Sequence, residues 1–257
     1  MQHSHSLLDY NFKTTNTVPA GRLKPLSIPS IDMPGATEKT ISTQRFKLKL
    51  SSQGDQSQTG MLLVKHTYIW GKTSVTSFDR KPNKITLFMF FGETAIGTLT
   101  LRLDSPTGLD ADQLYRRETD LLRHRGHKIC EFSQMALDRN IRSKRVLASL
   151  FHLAFLYATR VHGCTDIMLE STARHVSFYQ EKFGFSLFSK EKECPRAKST
   201  AMLLRLPAEY VENKLNEVEA LTVGNTPKQS KQMYTYFFNK NAEADLLRKL
   251  LANAQNE

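Results

Sequence analysis

Between Lys84 and Leu206 the hydrophobic period of the chain changes repeatedly, from about two residues to about four and back. Strands repeat every two residues and helices every 3.6, so this alternation limits the chain to a mixed α/β architecture. ITLFMFF (Ile85–Phe91) predicts a buried strand, Gly92–Glu93 a turn, and AIGTLTLRL (Ala95–Leu103) a second strand, so the pair forms a hairpin. Ala111–Arg123 is charged and amphipathic, as a helix would be, and HKICEFSQMAL (His127–Leu137) has strand character. A long helix is expected over Arg142–Gly163, closed by its glycine. A strand at Thr165–Ser171, a helix at Ala173–Lys182, and strands at Phe185–Ser189 and Ala201–Leu206 follow. After Pro207 a helix continues to Ala220.

Outside this core the signals thin out. Residues 1–40 are proline-rich and aperiodic and are expected to be a mostly irregular leader. QRFKLKL (Gln44–Leu50) alternates as a strand would, and residues 51–60 make a polar loop. One globular domain is expected over residues 41–222, and residues 223–257 form a polar tail with one helix at Asn241–Ala254. Trp70, within MLLVKHTYIW, would serve core packing or line an apolar tunnel.

Composition narrows the class. Cys130, Cys164 and Cys194 are scattered and odd in number, with neither metal-ligand spacing nor a disulfide framework. They fit reduced thiols and a cytoplasmic protein, with no metal expected. The opening MQHSHSLLDYNFK lacks the basic-then-apolar order of a secretory signal. The longest apolar run, Val146–Ala158, is too short for a bilayer, which needs about 20 residues. No GxGxxG or GxxxxGK[ST] pattern supports a dinucleotide or a P-loop nucleotide. The formal net charge of +11 suits an anionic partner: nucleic acid, membrane surface or an acidic protein. Neither a helix-turn-helix pattern nor a basic–aromatic stacking motif is present, so nucleic acid is not expected.

Two stretches carry chemistry. In Glu131-Phe132-Ser133-Gln134-Met135, alternation puts Glu131, Ser133 and Met135 on one strand face. A carboxylate among apolar neighbours needs a reason, since burying an unpaired charge is costly. It is either a base that positions an amine or half of a salt bridge to a nearby arginine. ARHVSFYQEKFGF (Ala173–Phe185) sets Phe178, Tyr179, Phe183 and Phe185 around Gly184. Phe178 and Phe183 read as core, while Tyr179 suits either packing or a reactive hydroxyl. Arg116, Arg117 and Glu118 belong to a solvated helix face or to the rim of a carboxylate site.

The order hairpin, helix, strand, long helix, strand, FYxxxGF helix resembles the GNAT acyltransferase fold. GTLTLRLDSPTGLDADQLYRRETDLLRHRGHKICEFSQMALD (Gly97–Asp138), followed by ARHVSFYQEKFGF, resembles the FeeM-type long-chain N-acyl amino acid synthases, which are similar to acyl-homoserine-lactone synthases. The resemblance covers about Lys84–Leu206. It implies a mixed, mainly antiparallel sheet with a splayed central strand pair flanked by helices. It also implies transfer of a fatty acyl group from an acyl-carrier-protein thioester, or from acyl-CoA, to the α-amine of a free amino acid. No cofactor would be bound permanently; the acyl-phosphopantetheine is a co-substrate. The enzyme would be bacterial and cytoplasmic, with transient contact at the inner membrane.

By the same resemblance Glu131, Ser133 and Tyr179 are the catalytic candidates, Tyr179 protonating the leaving sulfur. Gln134 and the amides around Met135, Ala136 and Leu137 would hold the thioester carbonyl, and His175 would position substrate unless it is structural. Gln134 stands where the family has arginine, so a hydrogen bond remains there without a charge. Coenzyme A users carry a glycine-rich loop next; this chain has Arg139, Arg142, Ser143, Lys144 and Arg145 instead. Those cations are either solvated or a seat for an acidic carrier and its phosphopantetheine phosphate. The alternatives are a lactone synthase using S-adenosylmethionine, a CoA-dependent N-acetyltransferase, and a non-catalytic basic binding module. Gln134 in place of arginine argues against the lactone synthase.

Overall fold

The computed structural model describes residues 28–31, 46–52, 83–91, 94–138, 143–195, 199–223 and 231–254. The elements run β1 (Ile28–Ile31), β2 (Phe46–Ser52), β3 (Lys84–Phe91), β4 (Thr94–Leu103), α1 (Asp112–His124), β5 (Ile129–Leu137), α2 (Lys144–Leu156), β6 (Asp166–Ser171), α3 (Ala173–Phe183), β7 (Ser186–Leu187), β8 (Lys192–Cys194), β9 (Ser199–Pro207), α4 (Ala208–Val223) and α5 (Lys240–Ala254). The strands form one 9-stranded sheet in the order β1-β2-β3-β4-β5-β6-β9-β7, with β8 also on β9. Every pairing is antiparallel except β5 with β6. The expected mixed, mainly antiparallel sheet is what the chain builds.

The two faces of the sheet are covered differently. Alternation in β4 sends Leu99 and Leu101 to one face, where they join Phe132, Leu137, Leu150 and Phe151 in the main core beneath α2. The other face carries a smaller cluster in which Tyr115 and Leu122 of α1 pack on Ile129, Met168 and Leu203. Arg123 ties α1 in place, donating to Asp104 and Asp112 at 2.8 Å and to Asp120 at 2.6 Å. Burial alone would raise the Asp112 carboxyl, but hydrogen bonds from Arg123, Thr119 and the Leu109 amide outweigh it and hold the group below its ordinary value.

Local chemistry sets the helix ends. Ser143 caps α2, its hydroxyl accepting from the Val146 amide at 3.3 Å. The expected helix to Gly163 is α-helical only to Leu156; Tyr157–Val161 is a π turn, which carries one extra residue before Gly163 (φ +67°) closes it. Gly184 ends α3 with φ +75°, its amide bonding Gln180 O at 3.0 Å. A Cβ at Gly184 would lie 2.2 Å from the Tyr210 ring of α4, so only glycine lets the two helices meet there.

Two expectations need correction, and one stretch gains a strand. Ile28–Ile31, within the stretch expected to be mostly irregular, is a strand paired with β2. The strand expected at Phe185–Ser189 shrinks to Ser186–Leu187, because Phe185 turns into the core. The polar-looking tail packs inward: Met233, Tyr234, Leu246 and Leu250 belong to the main core. Polar residues dominate that stretch by number, yet its few apolar side chains share the inner face. The turn at Gly92–Glu93, the 53–60 part of the expected loop and MLLVKHTYIW with Trp70 lie outside the described residues.

Candidate active site

β5 is buried along its length except at Ser133 and Gln134, which are half-buried. Two irregularities coincide with that opening. Thr100 pairs with Ser133 and Thr98 with Ala136, so Gln134 and Met135 together face Leu99 alone. This is a β-bulge, and it bends the strand. Gln134 takes φ +50°, the one positive φ of a non-glycine among the described residues. Such a conformation costs about 1 kcal/mol and persists where the surroundings hold it. The second irregularity is the splay. β5 and β6 pair from Ile129 with Asp166 to Phe132 with Leu169, and the pairing stops there although the strands run on to Leu137 and Ser171.

The bulge overturns one expectation. Strict alternation put Met135 beside Glu131 and Ser133, but the extra residue turns it over. Met135 lies in the main core with Phe132 and Leu137. Glu131 and Ser133 stay on the face shared with Thr100 and Arg102, their register partners across β4.

That face carries a buried polar row. Thr98 and Thr100 are fully buried, Arg102 is 2% exposed and Glu131 3%. Glu131 Oε2 accepts from the Ala111 amide at 3.0 Å, which fixes the carboxylate against the turn leading into α1. Arg102 donates through Nη1 to Asp110, so its ion pair runs along the loop, and among the described residues its buried Nε has no hydrogen-bond partner. Thr100 donates to Gln134 Oε1 at 2.9 Å, and Thr98 to the Gln134 carbonyl at 3.0 Å. Sequence reasoning passed over Thr86, Thr98, Thr100 and Arg102. The signal was present in β4, where Thr98, Thr100 and Arg102 alternate with Leu99, Leu101 and Leu103.

Ala136 and Leu137 are buried on β5 just past the bulge. Tyr179 is 3% exposed on α3, edge-on to Phe178 and Phe185 with centroids at 5.4 and 5.7 Å. Phe183 is fully buried, whereas Phe178, expected in the core, is half-buried against it. His175 is half-buried in the first turn of α3, its Nδ1 3.1 Å from Thr172 Oγ1. Burial, then the charge of Arg174, lowers its pKa. Lys144 is exposed beside the Ser143 cap, its Nζ 5.9 Å from the Tyr236 ring centre, and Arg145 is half-buried. Arg139 and Arg142 lie outside the described residues. Arg116 is solvated and pairs with Asp120 at 3.6 Å, Arg117 is exposed, and Glu118 is held by Lys192 at 2.8 Å. Among the described residues no three His, Cys, Asp or Glu side chains converge as metal ligands do. No described helix is long and apolar enough to cross a membrane.

Chemically, the opening combines a buried carboxylate, a distorted strand and an incomplete ladder. A strand edge released from pairing presents backbone amides to a ligand oxygen, as an acyl-transfer centre requires.

Comparison with known proteins follows the same line. The family model described as N-acyl amino acid synthase FeeM matches residues 61–207. The solved structure of FeeM, an N-acyl amino acid synthase from uncultured soil microbes, superposes with a TM-score of 0.57 at 24% identity, covering 65% of this chain and 94% of that one. An uncharacterised protein from Bacillus halodurans gives 0.50 at 11% identity over 75% of this chain and 95% of that one. The AHL synthase LasI gives 0.44 at 12% identity over 63% and 89%. No curated protein matches the chain.

Proposed function

Because the chain belongs to the FeeM family of N-acyl amino acid synthases and is an acyltransferase of GNAT fold, we propose that it moves a long-chain fatty acyl group from an acyl-carrier-protein thioester to the α-amine of a free amino acid. The observation that carries this is the coincidence on β5: the bulge, the end of pairing with β6 and the only partly open residues of the strand all fall within Phe132–Met135, next to a buried carboxylate.

The chemistry needs few groups. A neutral α-amine attacks the thioester carbon; the C–N bond forms and the carbonyl π pair moves onto oxygen. As C=O reforms, the C–S pair leaves with sulfur. Glu131 takes the proton released from nitrogen, directly or through a water on Ser133, and the Tyr179 hydroxyl supplies one to the thiolate. Solvent restores both groups, so an amine and a thioester become an amide and a thiol. Amides around Met135–Leu137, with the Gln134 carboxamide, hold the oxyanion. His175 helps seat the acceptor at the splay. No covalent enzyme intermediate is needed, because holding the reactants together supplies much of the rate.

The donor docks at the start of α2. Ser143 and the helix N-terminus face an anion favourably, and Lys144 and Arg145, with Arg139 and Arg142, supply positive charge for the phosphopantetheine phosphate and the acidic carrier. The product is an amphiphile, so contact with the inner-membrane surface belongs to the same picture.

The test is direct. The purified protein is incubated with palmitoyl-acyl carrier protein and a panel of the common amino acids, and products are read by mass spectrometry. An N-palmitoyl amino acid is expected. Transfer of short acyl groups from CoA alone, a lactone formed from S-adenosylmethionine, or no product from any donor would each overturn the proposal.

A further inference from the structure

The Gln134 side chain is held from one end only. Its Oε1 accepts from Thr100 Oγ1 at 2.9 Å, and a carboxamide oxygen can only accept, so the Thr100 proton is committed to it. Thr100 Oγ1 also lies 2.9 Å from Thr86 Oγ1, and with its own proton spent Thr100 must accept there. The result is a one-way chain, Thr86 to Thr100 to Gln134, running across three strands. Thr98 fixes the other end of the residue by donating to the Gln134 carbonyl at 3.0 Å. Thr98 and Thr100 are fully buried and Thr86 is 7% exposed, so water does not compete for these bonds. Among the described residues nothing accepts a hydrogen bond from Gln134 Nε2. The residue is half-buried at the one open point of β5.

We propose that Thr86, Thr98 and Thr100 are positioning residues that lock the carboxamide of Gln134 with its NH2 turned outward, as a side-chain donor to the thioester carbonyl oxygen as that oxygen becomes an oxyanion. This rests on the acyltransfer reading above. A neutral donor suits that task. The oxygen bears its charge only in the transition state, so a preset dipole favours that state over the ground state. A permanent carboxylate on the acceptor would instead be matched by a fixed cation. The strained backbone serves the same end: with φ at +50° and the carbonyl pinned by Thr98, the side chain starts from one direction only.

Steady-state kinetics on the full chain test this, using palmitoyl-acyl carrier protein and whichever amino acid the wild type acylates. An inactive wild type overturns the acyltransfer reading itself, and the proposal with it. Thr100→Val keeps the branched shape and loses the hydroxyl. It is expected to lower kcat by about tenfold or more with both KM values within about twofold, since the loss falls on the transition state. Thr100→Ser, which restores the hydroxyl, should recover most of the rate. Gln134→Glu, which removes both amide hydrogens, should lose about 10²–10³ in kcat.

A dithioester donor, with sulfur in place of the carbonyl oxygen, completes the experiment. Sulfur accepts hydrogen bonds weakly, so the gap between wild type and Thr100→Val should shrink with it. A Thr100→Val protein with wild-type kcat, a rise in acceptor KM alone, or an undiminished gap with the dithioester would each overturn the proposal. If Thr100→Val does not fold, as judged by near-ultraviolet circular dichroism, Gln134→Glu makes the test at the donor itself: wild-type kcat, or an undiminished gap with the dithioester, would overturn the proposal.

Discussion

Glu131 and Tyr179 are both almost fully buried, and burial alone does not separate a reactive group from a packed one. What separates them is the variant that keeps shape while removing chemistry. Glu131→Gln retains an acceptor for the Ala111 amide and should fold with a Tm within a few degrees of wild type. Its kcat should fall by about 10²-fold or more, the contribution of a positioned base. Retention of full turnover in the folded variant would remove Glu131 from the mechanism. Tyr179→Phe keeps the edge-on contacts with Phe178 and Phe185; a fall in kcat, sparing Tm, is the expected signature of its hydroxyl. At this scale the sequence was legible where a residue type clashed with its neighbours, as Glu131 does in an apolar strand. It was illegible where placement depended on the bulge. Nothing in EFSQMAL says that Gln134 takes a left-handed turn or that Met135 changes face, because that register is set by pairing with β4 and not by local pattern.

Elements show the same division. The helices and core strands announced themselves through period, caps and glycine stops. The π turn at Tyr157–Val161 and the short β8 did not, since each depends on contacts distant in sequence. Ser143→Ala should cost about 1 kcal/mol in urea denaturation through loss of the α2 cap. Gly184→Ala should cost more than about 1 kcal/mol, because it adds left-handed strain to a collision with Tyr210. The helix α2 also holds a titrating group. His152 is fully buried and stacked on Phe237 with centroids at 4.4 Å. It accepts from the Phe238 amide at 3.1 Å, and its Nε2 lies 3.8 Å from Glu243. Burial, with the charge of Arg160 behind it, pushes its pKa down to about 3. Above the unfolded value of about 6.5 the ring is neutral in both states; below it the unfolded chain takes up a proton that the folded chain refuses. Stability is therefore present at neutral pH and lost as pH falls from about 6.5 towards about 3. Burial of Glu243 raises its pKa and opposes this trend at the acid end. The Tm of wild type should decline across this range, and His152→Phe should decline less steeply; identical slopes would exclude His152 as the source.

On the scale of the molecule, the C-terminal segment is part of the domain's core. Met233, Tyr234, Leu246 and Leu250 pack with α2 residues, and Tyr234 donates its hydroxyl proton to the Phe183 carbonyl at 2.5 Å. A chain ended at Val223 should lose cooperative melting or precipitate, and soluble, fully active truncated protein would contradict the role assigned to this packing. The +11 charge was legible from composition, and the proposed acidic donor gives it a testable role. The KM for an acidic carrier should rise with salt over the range in which the screening length falls from about 10 Å to about 3 Å, while kcat holds. The sheet itself is two antiparallel halves joined by a seam of parallel pairing that ends at Phe132 and Leu169. Extending that seam would give a more regular wall with no way through it. The extra residue at Gln134 lies in the β4–β5 ladder, two places past the last paired residue of that seam. Deleting that residue is expected to let β4 and β5 run on in register, a more complete fold at the cost of the one open point of β5.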